Sequence, residues 1–246
     1  MAFMREESGM WGDVAGERVS VAVFDNIRAD MASVLERDPA AKSRLEVLLC
    51  YPSVKAMAYH RLAHRLYLAG HTTWARLISQ HSRHATGIEI HPGARIGKGF
   101  FIDHGDGVVI GETAVIGDNV TLYQGVTLGG TGKDVGKRHP TIGNNVTIGA
   151  GAKVLGPFTV GDGSKIGASA VVLREVPPGC TVVGNPGRIV RRQGTVQGVD
   201  LDHVHLPDPV KAHIDALERR VLELERQMHL NHGTKVLKEE FIHADL

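Results

Sequence analysis

Branched aliphatic residues recur six positions apart between residues 90 and 172. The repeated positions are Ile90, Ile96, Ile102, Ile110, Ile116, Leu122, Leu128, Ile142, Ile148, Val154, Val160, Ile166 and Val172. Glycine directly follows eight of them. Hexapeptides of this kind are typical of a left-handed parallel β-helix, in which three repeats close one triangular coil and the aliphatic side chains fill the prism. The pattern therefore predicts a mainly β solenoid over residues 88–190.

The repeat is broken twice, and each break predicts a segment that leaves the coil. The step from Ile102 to Ile110 is eight residues instead of six, so about two residues bulge between them. The step from Leu128 to Ile142 is fourteen, so about eight residues form a loop within Gly129–Thr141. Insertions in a solenoid map to loops, and loops on a rigid scaffold commonly carry functional residues. We therefore expect the functional site at these breaks.

The segment before the repeat is predicted to form an α-helical cap. Its first helix has apolar residues at helical spacing and ends at Asp38-Pro39, because the residue before proline avoids the α conformation. The predicted helices cover residues 24–38, 41–49, 53–70, with Ser53 as N-cap, and 73–84, with Trp74, Leu77, Ile78 and His81 on one face. Together they form an N-terminal domain, residues 23–87, that covers the first coil. Residues 1–22 are expected to be a flexible extension.

A second helical pattern follows the solenoid after a predicted linker over residues 191–208. Apolar residues there recur at alternating steps of four and three, as in a heptad repeat. They are Val210, Ile214, Leu217, Val221, Leu224 and Met228. This spacing predicts a helix over residues 209–230 that forms a short coiled coil, and the alternative is a helix folded back onto the domain. Residues 231–246 are predicted to be a mobile tail.

The charge balance and the cysteine content argue against several functional classes. The 246 residues include 28 basic and 27 acidic ones, and the net charge of +1 gives no electrostatic basis for binding nucleic acid or an anionic membrane. Cys50 and Cys180 form neither a disulfide framework nor a metal-binding spacing. No apolar run approaches a signal peptide or the ~20 residues of a membrane span. We therefore expect a cytoplasmic protein.

Several motifs resemble the serine acetyltransferase family, whose members make O-acetyl-L-serine on the way to cysteine. The stretches that carry the resemblance are Glu89-Ile90-His91-Pro92, Phe101-Ile102-Asp103-His104, Gly111-Glu112-Thr113-Ala114-Val115-Ile116, Leu128-Gly129-Gly130-Thr131-Gly132-Lys133, Arg138-His139-Pro140 and Gly149-Ala150-Gly151-Ala152-Lys153. The match covers roughly residues 38–190 and is more specific than the hexapeptide, which sugar, chloramphenicol and succinyl transferases share. It implies transfer of acetyl from acetyl-CoA to the hydroxyl of L-serine.

His104 is the candidate general base for such a reaction. A serine hydroxyl is too weakly acidic to attack a thioester unaided, and a neutral imidazole, with an unperturbed pKa of about 6.5, can accept its proton. His104 also lies in the bulge. By resemblance, Glu89 orients the imidazole from its other ring nitrogen, where the family usually has aspartate. The extra methylene of glutamate requires a different backbone or rotamer to reach that nitrogen.

The resemblance also places residues around both substrates. Asp38 and Asp103 are assigned to the ammonium and hydroxyl of serine. Arg138, with His139, is assigned to the carboxylate, which a guanidinium can bind bidentately. Acetyl-CoA is the expected co-substrate, in a groove between neighbouring solenoids, and no metal is expected. The positions that match the groove are Gly130, Thr131, Ala150 and Ala168, with Lys165 as a candidate for a CoA phosphate.

Three other functions fit the same solenoid. An acetyltransferase for a sugar, homoserine or an antibiotic is the nearest, but the charged Asp38 and Arg138 favour an amino acid as the acceptor. A zinc lyase of carbonic-anhydrase type takes three histidines from adjacent coils of two subunits. The solenoid has only His91, His104 and His139, and no pair lies at one-coil spacing. A catalytically silent scaffold that binds a partner enzyme would be indicated by loss of His104 or Arg138, but both residues are present.

The resemblance further implies an assembly and a partner. Family members work as trimers because two neighbouring solenoids form each acetyl-CoA groove, and the heptad helix would then pair with its own copies. Longer members join trimers into hexamers through a larger helical region, and the cap of this chain is short by comparison. In the family the C-terminus, usually isoleucine, enters the active site of O-acetylserine sulfhydrylase, whereas this chain ends in Asp245-Leu246. We expect a homotrimer, with a hexamer and the sulfhydrylase partnership left open.

Overall fold

The computed structural model describes residues 16–132, 134–192 and 213–228. The chain divides into one compact unit, Met1–Leu206, and a second, Pro207–Leu246. In the described part of the first unit, helices are followed by a β-solenoid. The described part of the second unit is a helix over residues 213–228.

The helices before the solenoid are α1 (Gly16–Arg37), α2 (Arg44–Cys50), α3 (Pro52–Leu68) and α4 (Thr72–Thr86). Their order agrees with the sequence pattern, but all four start at other residues than predicted, α3 and α4 by a single residue. α1 already begins at Gly16. The sequence pattern missed this first part because Val19, Val21 and Val23 alternate with other residues and do not show helical spacing. The predicted extension over residues 1–22 is therefore wrong from residue 16 onwards, and residues 1–15 lie outside the described ranges.

The starts of α2 and α3 differ for reasons of capping. Ser43 is the N-cap of α2, since its Oγ accepts a hydrogen bond of 3.2 Å from Glu46 N. α3 begins at Pro52, so Ser53 lies buried inside the helix and is not its N-cap. Proline fits this first helical position, because its missing N–H would have no acceptor within the helix.

Fifteen short strands follow the helices in the described chain. They are β1 (Glu89–Ile90), β2 (Arg95–Ile96), β3 (Phe101–Ile102), β4 (Val109–Ile110), β5 (Val115–Ile116), β6 (Thr121–Leu122), β7 (Thr127–Gly129), β8 (Thr141–Ile142), β9 (Thr147–Ile148), β10 (Lys153–Leu155), β11 (Thr159–Val160), β12 (Lys165–Ile166), β13 (Val171–Val172), β14 (Cys180–Val183) and β15 (Arg188–Arg192). The last strand runs past Val190, the predicted end of the solenoid.

The strands form three sheets around a triangular prism. Sheet I has the order β1-β4-β7-β10-β13, sheet II β2-β5-β8-β11, and sheet III β3-β6-β9-β12-β14-β15. Each strand from β1 to β10 pairs in parallel with the third strand after it, and only β15 pairs antiparallel, with β14. This is the left-handed β-helix that the hexapeptides predicted.

The strand register confirms both breaks in the repeat. In a regular part of the solenoid, Ile142 pairs with Val160, 18 positions later (160 − 142). Across the bulge, Ile90 pairs with Ile110, 20 positions later (110 − 90). Across the loop, Ile116 pairs with Ile142, 26 positions later (142 − 116). The bulge therefore adds two residues and the loop adds eight, as the spacing predicted.

The repeated aliphatic side chains form the core of the prism. All are buried except Ile96, which is partly buried against the same cluster. Glycine follows them because successive coils approach closely at the corners. A Cβ added at Gly149 would come within 2.7 Å of the backbone nitrogen of Ala168 on the next coil, a distance that side chains do not tolerate.

The cap packs on the first coil through an apolar cluster and a buried ion pair. Val34, Val47 and Val54 surround Phe101. Beside them, Arg61 Nη2 lies 2.7 Å from Asp30 Oδ2, with both side chains buried. The other oxygen, Oδ1, accepts a hydrogen bond of 3.2 Å from the backbone N–H of the first coil at residue 100. The pair therefore also satisfies a buried backbone N–H of the first coil.

α4 packs through small residues and not through its large apolar ones. Ala75 and Ser79 are buried, and Ser79 Oγ donates a hydrogen bond of 2.6 Å to Ile90 O. Trp74 and Leu77 are 66% and 55% exposed. Small side chains allow the helix to lie close to β1, so the apolar face marked in the sequence points outward.

The chain beyond β15 is described only in its helix. The helix over residues 213–228 lies within the predicted 209–230. Its heptad residues Ile214, Leu217, Val221, Leu224 and Met228 are 47–71% exposed. The predicted linker, apart from Arg191 and Arg192, and the predicted tail lie outside the described residues. None of the described helices has the length and apolar character needed to cross a membrane.

Candidate active site

The two breaks lie at different edges of the prism. The bulge joins β3 of sheet III to β4 of sheet I, and the loop joins β7 of sheet I to β8 of sheet II. We call the corner between sheets III and I the His104 edge, and the corner between sheets I and II the Arg138 edge. The predicted site residues therefore fall into two groups.

The bulge presents His104 to solvent in an unusual backbone conformation. Gly105 N donates to Asp103 O over 2.7 Å, which closes a tight turn around His104. The φ of His104 is 58°, in the left-handed region that costs a non-glycine residue of order 1 kcal/mol. Gly107 N donates to Gly87 O over 3.1 Å, so the bulge lies against the start of β1. The exposed imidazole is thus held on a short, fixed turn.

Glu89 lies at this edge but does not hydrogen-bond to His104 in the described chain. Its Oε2 is instead 3.3 Å from Arg83 Nε of α4. The Glu89 side chain is 28% exposed and that of Arg83 56%. The pairing of Glu89 with His104 therefore stays a prediction, and Arg83 is a neighbour that the sequence did not indicate.

Asp38 and Asp103 lie together at the His104 edge. The Asp38 oxygens accept hydrogen bonds from Ala40 N, at 2.8 Å, and from Tyr51 Oη, at 2.6 Å. Burial, the bond to Asp38 and the charge of Asp103 raise the pKa of Tyr51. Burial and the same two carboxylates also raise the pKa of Tyr123. These carboxylates make the edge negative, which suits an ammonium ion, and the two tyrosines were not found from the sequence.

The Arg138 edge carries an ion pair that the cap helps to build. Arg138 Nη2 donates to Glu112 Oε2 at 2.6 Å, and Tyr67 Oη of α3 donates to Glu112 Oε1 at 3.0 Å. Burial acts to raise the pKa of Glu112, but the hydrogen bonds from Tyr67 and Arg138 outweigh it, and the pKa is lowered. Glu112 is therefore charged at neutral pH and holds the guanidinium from one side.

His139 is held as a neutral imidazole by Thr113. The backbone N–H of Thr113 donates to His139 Nδ1 at 3.2 Å, and the Thr113 hydroxyl lies 2.9 Å from the same atom. A backbone N–H can only donate, so Nδ1 accepts and the ring proton is on Nε2. Burial and the charge of Arg138 lower the pKa of His139. The ring therefore offers Nε2–H as a hydrogen-bond donor.

Two glycines make room for these side chains. A Cβ added at Gly111 would overlap the imidazole ring of His139. One added at Gly130 would lie 2.9 Å from Arg138 Cγ and 3.1 Å from His139 Nε2. The hexapeptide pattern explains glycine at 111 as a coil corner, and only the folded structure shows that the loop needs it as well.

The residues predicted for acetyl-CoA lie in three places. Ala150 and Ala168 follow β9 and β12, so both lie on the His104 edge, and Ser169 N donates to Ala150 O over 2.8 Å. Gly130 and Thr131 lie in the loop, where Thr131 is exposed and its hydroxyl bonds to Asp134. Lys165 is in β12 and is only 9% exposed. These assignments stay predictions.

The histidines of the solenoid do not form a metal centre in the described chain. No group of three or more histidine, cysteine, aspartate or glutamate side chains there could hold a metal ion. His91 Nδ1 accepts a hydrogen bond of 3.0 Å from Gly93 N, and its ring lies edge-on to Tyr67 with centroids 5.7 Å apart. Burial and Arg76 lower the pKa of His91 to about 4. In one chain it acts as a neutral packing residue.

The coil geometry and the site together define a transferase of the hexapeptide-repeat class. Residues 139–174 match the family model described as bacterial transferase hexapeptide (six repeats). Solved structures of serine acetyltransferases are also similar to this chain. A Neisseria gonorrhoeae serine acetyltransferase in complex with serine is 42% identical, with a TM-score of 0.68 over 71% of this chain and 72% of that one. A Brucella abortus serine acetyltransferase in complex with coenzyme A is 44% identical, with a TM-score of 0.70 over 73% of each chain.

A curated relative narrows the class to one family. The serine acetyltransferase of Bacillus subtilis is 57% identical over 205 residues, which are 83% of this chain and 94% of that protein. Identity at this level over most of both chains does not arise from the hexapeptide repeat alone. The chain belongs to the serine acetyltransferase family.

Proposed function

We propose that this protein transfers acetyl from acetyl-CoA to the hydroxyl of L-serine, giving O-acetyl-L-serine and CoA, with His104 as the general base. Family membership supports the reaction. Related enzymes solved with serine and with coenzyme A bind the substrates that it requires. The observation that carries the assignment of the base is the exposed imidazole of His104, held at an edge made negative by Asp38 and Asp103.

The chemistry needs no acyl-enzyme. His104 takes the proton of the serine hydroxyl as its oxygen attacks the thioester carbonyl. When the tetrahedral intermediate collapses, the C–S bond breaks and the imidazolium returns the proton to the CoA thiolate. Glu89 would stabilise the imidazolium by turning its carboxylate from Arg83 towards His104.

Charged and polar groups at the two edges match an amino acid. Asp38 and Asp103 attract the substrate ammonium. Arg138 binds the carboxylate with the guanidinium N–H groups that Glu112 does not use, and the Nε2–H of His139 donates to it as well. A sugar would offer neither charge.

Each complete site is formed by two neighbouring chains. Arg138 and His139 make no hydrogen bond or ion pair with Asp38 or His104 within the described part of one chain. The two groups lie at different corners of the prism. In a threefold assembly, the His104 edge of one chain can face the Arg138 edge of the next. A homotrimer therefore supports the function better than a monomer.

Acetyl-CoA would lie in the groove between these edges. Ala150 and Ala168 leave space along the His104 edge, and Gly130 with Thr131 would approach from the neighbouring loop. Lys165 could reach a CoA phosphate only by moving out of its buried position. Binding of the sulfhydrylase by the C-terminal tail and a cytoplasmic location rest on the sequence alone and remain predictions.

A CoA-release assay tests the activity. We expect L-serine to be acetylated in preference to L-homoserine and to a simple sugar. His104→Ala should lower kcat by about 10²- to 10⁴-fold, the usual contribution of a positioned base, while the fold is kept because the side chain is exposed.

A double replacement, Cys50→Ala with Cys180→Ala, is the control for a thiol mechanism and should keep its activity. Complete loss in this folded double variant, or a near-normal rate of His104→Ala, would contradict the proposed mechanism. Equal rates with serine and homoserine would contradict the proposed acceptor.

A further inference from the structure

We propose that Tyr67 and Glu112 are positioning residues for Arg138, and that they set the preference of the enzyme for an acceptor with a free carboxylate. The proposal rests on the function proposed above for Arg138. It adds two residues that neither the motifs nor the repeat singled out for a role.

The geometry is a chain of three side chains from three segments. Arg138 comes from the loop, Glu112 from the corner between β4 and β5, and Tyr67 from the last turns of α3. The contacts are 2.6 Å from Arg138 Nη2 to Glu112 Oε2 and 3.0 Å from Tyr67 Oη to Glu112 Oε1. Each carboxylate oxygen thus has a different donor, so the carboxylate cannot rotate without losing one.

This arrangement leaves Arg138 able to bind a second carboxylate. Glu112 uses one terminal nitrogen of the guanidinium, whereas a guanidinium has five N–H donors in one plane. The Arg138 and Glu112 side chains are 33% and 31% exposed, so a small substrate can reach the pair. A guanidinium fixed in orientation loses less freedom on binding than a mobile one.

The protonation states suit the role. Burial and the bond to Glu112 raise the pKa of Tyr67, so its hydroxyl keeps the proton that it donates. The pKa of Glu112 is lowered, so its charge persists through the neutral range. The backbone of the same segment is fixed separately, since Arg138 N and His139 N both donate to Thr113 Oγ1, at 3.0 Å and 3.1 Å. Loss of Glu112 should therefore free the guanidinium without releasing the loop.

The test compares L-serine with L-serinamide, whose carboxamide carries no charge. Glu112→Gln should raise the KM for serine at least about tenfold, the value of a charge-assisted hydrogen bond, and leave kcat and the KM for acetyl-CoA within about twofold. Its KM for serinamide should change little. Tyr67→Phe should raise the KM for serine less, about fivefold, because the ion pair of Arg138 with Glu112 stays in place and only the bond that fixes the other carboxylate oxygen is lost. The double variant should be no worse than Glu112→Gln alone, because both act through one guanidinium.

Matched controls are available on the same elements. Tyr59→Phe removes a hydroxyl from the same helix, α3, where its nearest partner is His81 at 3.5 Å. Glu175→Gln removes an exposed carboxylate from the end of the solenoid. Both should leave the serine KM unchanged.

The outcomes distinguish failure of this proposal from failure of the proposal that Arg138 binds the serine carboxylate. If Arg138→Ala raises the serine KM but Glu112→Gln does not, the positioning role of Glu112 is wrong and the proposed binding of the serine carboxylate by Arg138 is kept. If Arg138→Ala has no effect on serine or on the preference over serinamide, the assigned role of Arg138 fails first. A lower serine KM in Glu112→Gln would show that Glu112 competes with the substrate, and equal losses for serine and serinamide would indicate a structural role. Either result overturns the proposal.

Discussion

His60 shows how strongly the fold can change the chemistry of a single side chain. It is 5% exposed, its Nδ1 has no hydrogen-bond partner in the described chain, and its ring centroid is 5.6 Å from that of His64. Burial, followed by the nearby His64 and Arg61, lowers its pKa to about 3. In the unfolded chain the same imidazole has a pKa of about 6.5. Folding therefore requires this histidine to be neutral.

The pH dependence of stability follows from that difference. Because the folded pKa lies below the unfolded one, the unfolded chain binds the proton first, and stability is lost as pH falls from about 6.5 towards about 3. The largest slope from this residue is about 1.4 kcal/mol per pH unit. His60→Gln cannot titrate and should reduce the fall in unfolding free energy between pH 7 and pH 5, measured by urea denaturation.

The control for this prediction is His84→Gln, at an exposed histidine near the end of α4. That variant should keep the slope of the unmodified protein. A slope unchanged in His60→Gln would mean that another group, such as the half-buried His91, dominates the acid response.

At the scale of elements, the cap and the C-terminal helix bury their side chains very differently. The cap holds the first coil through Val34, Phe101 and the ion pair of Asp30 with Arg61, whose partners are all within one chain. Breaking such a buried pair typically costs about 3–5 kcal/mol, because the remaining charge is left without a partner. The heptad residues of the C-terminal helix are exposed, although apolar side chains at this spacing gain stability by burial against other helices.

We expect that helix to form a parallel coiled coil with its own copies. Leu217→Asp with Leu224→Asp places two charges in the apolar seam, so the assembly should dissociate or lose thermal stability. The mass in solution, measured by light scattering, and the melting temperature report the effect.

A matched variant tests whether the seam itself matters. Arg219→Asp with Arg226→Asp has the same spacing of seven residues on the opposite side of the heptad and should keep the trimer. A monomeric unmodified protein, or equal behaviour of the two double variants, would contradict the coiled coil.

At the scale of the whole molecule, the separation of His104 from Arg138 predicts how mutants complement each other. If a site takes His104 from one chain and Arg138 from the next, a mixed assembly of two defective chains contains some intact sites. An Arg138→Ala chain still supplies His104, and a His104→Ala chain still supplies Arg138.

Co-expression of these two variants should therefore restore activity at limiting serine. With random mixing, about one quarter of the interfaces pair an intact His104 with an intact Arg138. The rate should approach about a quarter of the unmodified rate, above the mean of the two variants alone. The double variant His104→Ala with Arg138→Ala, co-expressed with unmodified chain in equal amounts, is the reference mixture. It should also keep about one quarter of the sites intact if each site is shared between chains, but about one half if each site lies within one chain. A mixture of the two single variants that is no more active than the mean of its parts would place the whole site within one chain.

The sequence by itself determined the solenoid, its two breaks and most of the candidate residues. A period of six leaves few alternatives, because each aliphatic residue must face the prism and each extra residue must leave it. His104 and Arg138 could be assigned because they lie in those breaks and in motifs that resemble one family. The helix start at Gly16 was missed because the valines that follow it alternate and do not show helical spacing, and the start at Pro52 because proline and not Ser53 takes the first helical position.

Only the tertiary structure decided which side chains meet. Tyr67 and Glu112 are 45 residues apart in the chain, and Arg83 takes the carboxylate of Glu89 through the packing of α4. The physical reason is that the repeat fixes which side chains face the core, whereas contacts at the surface depend on how the cap and the coils come together in three dimensions.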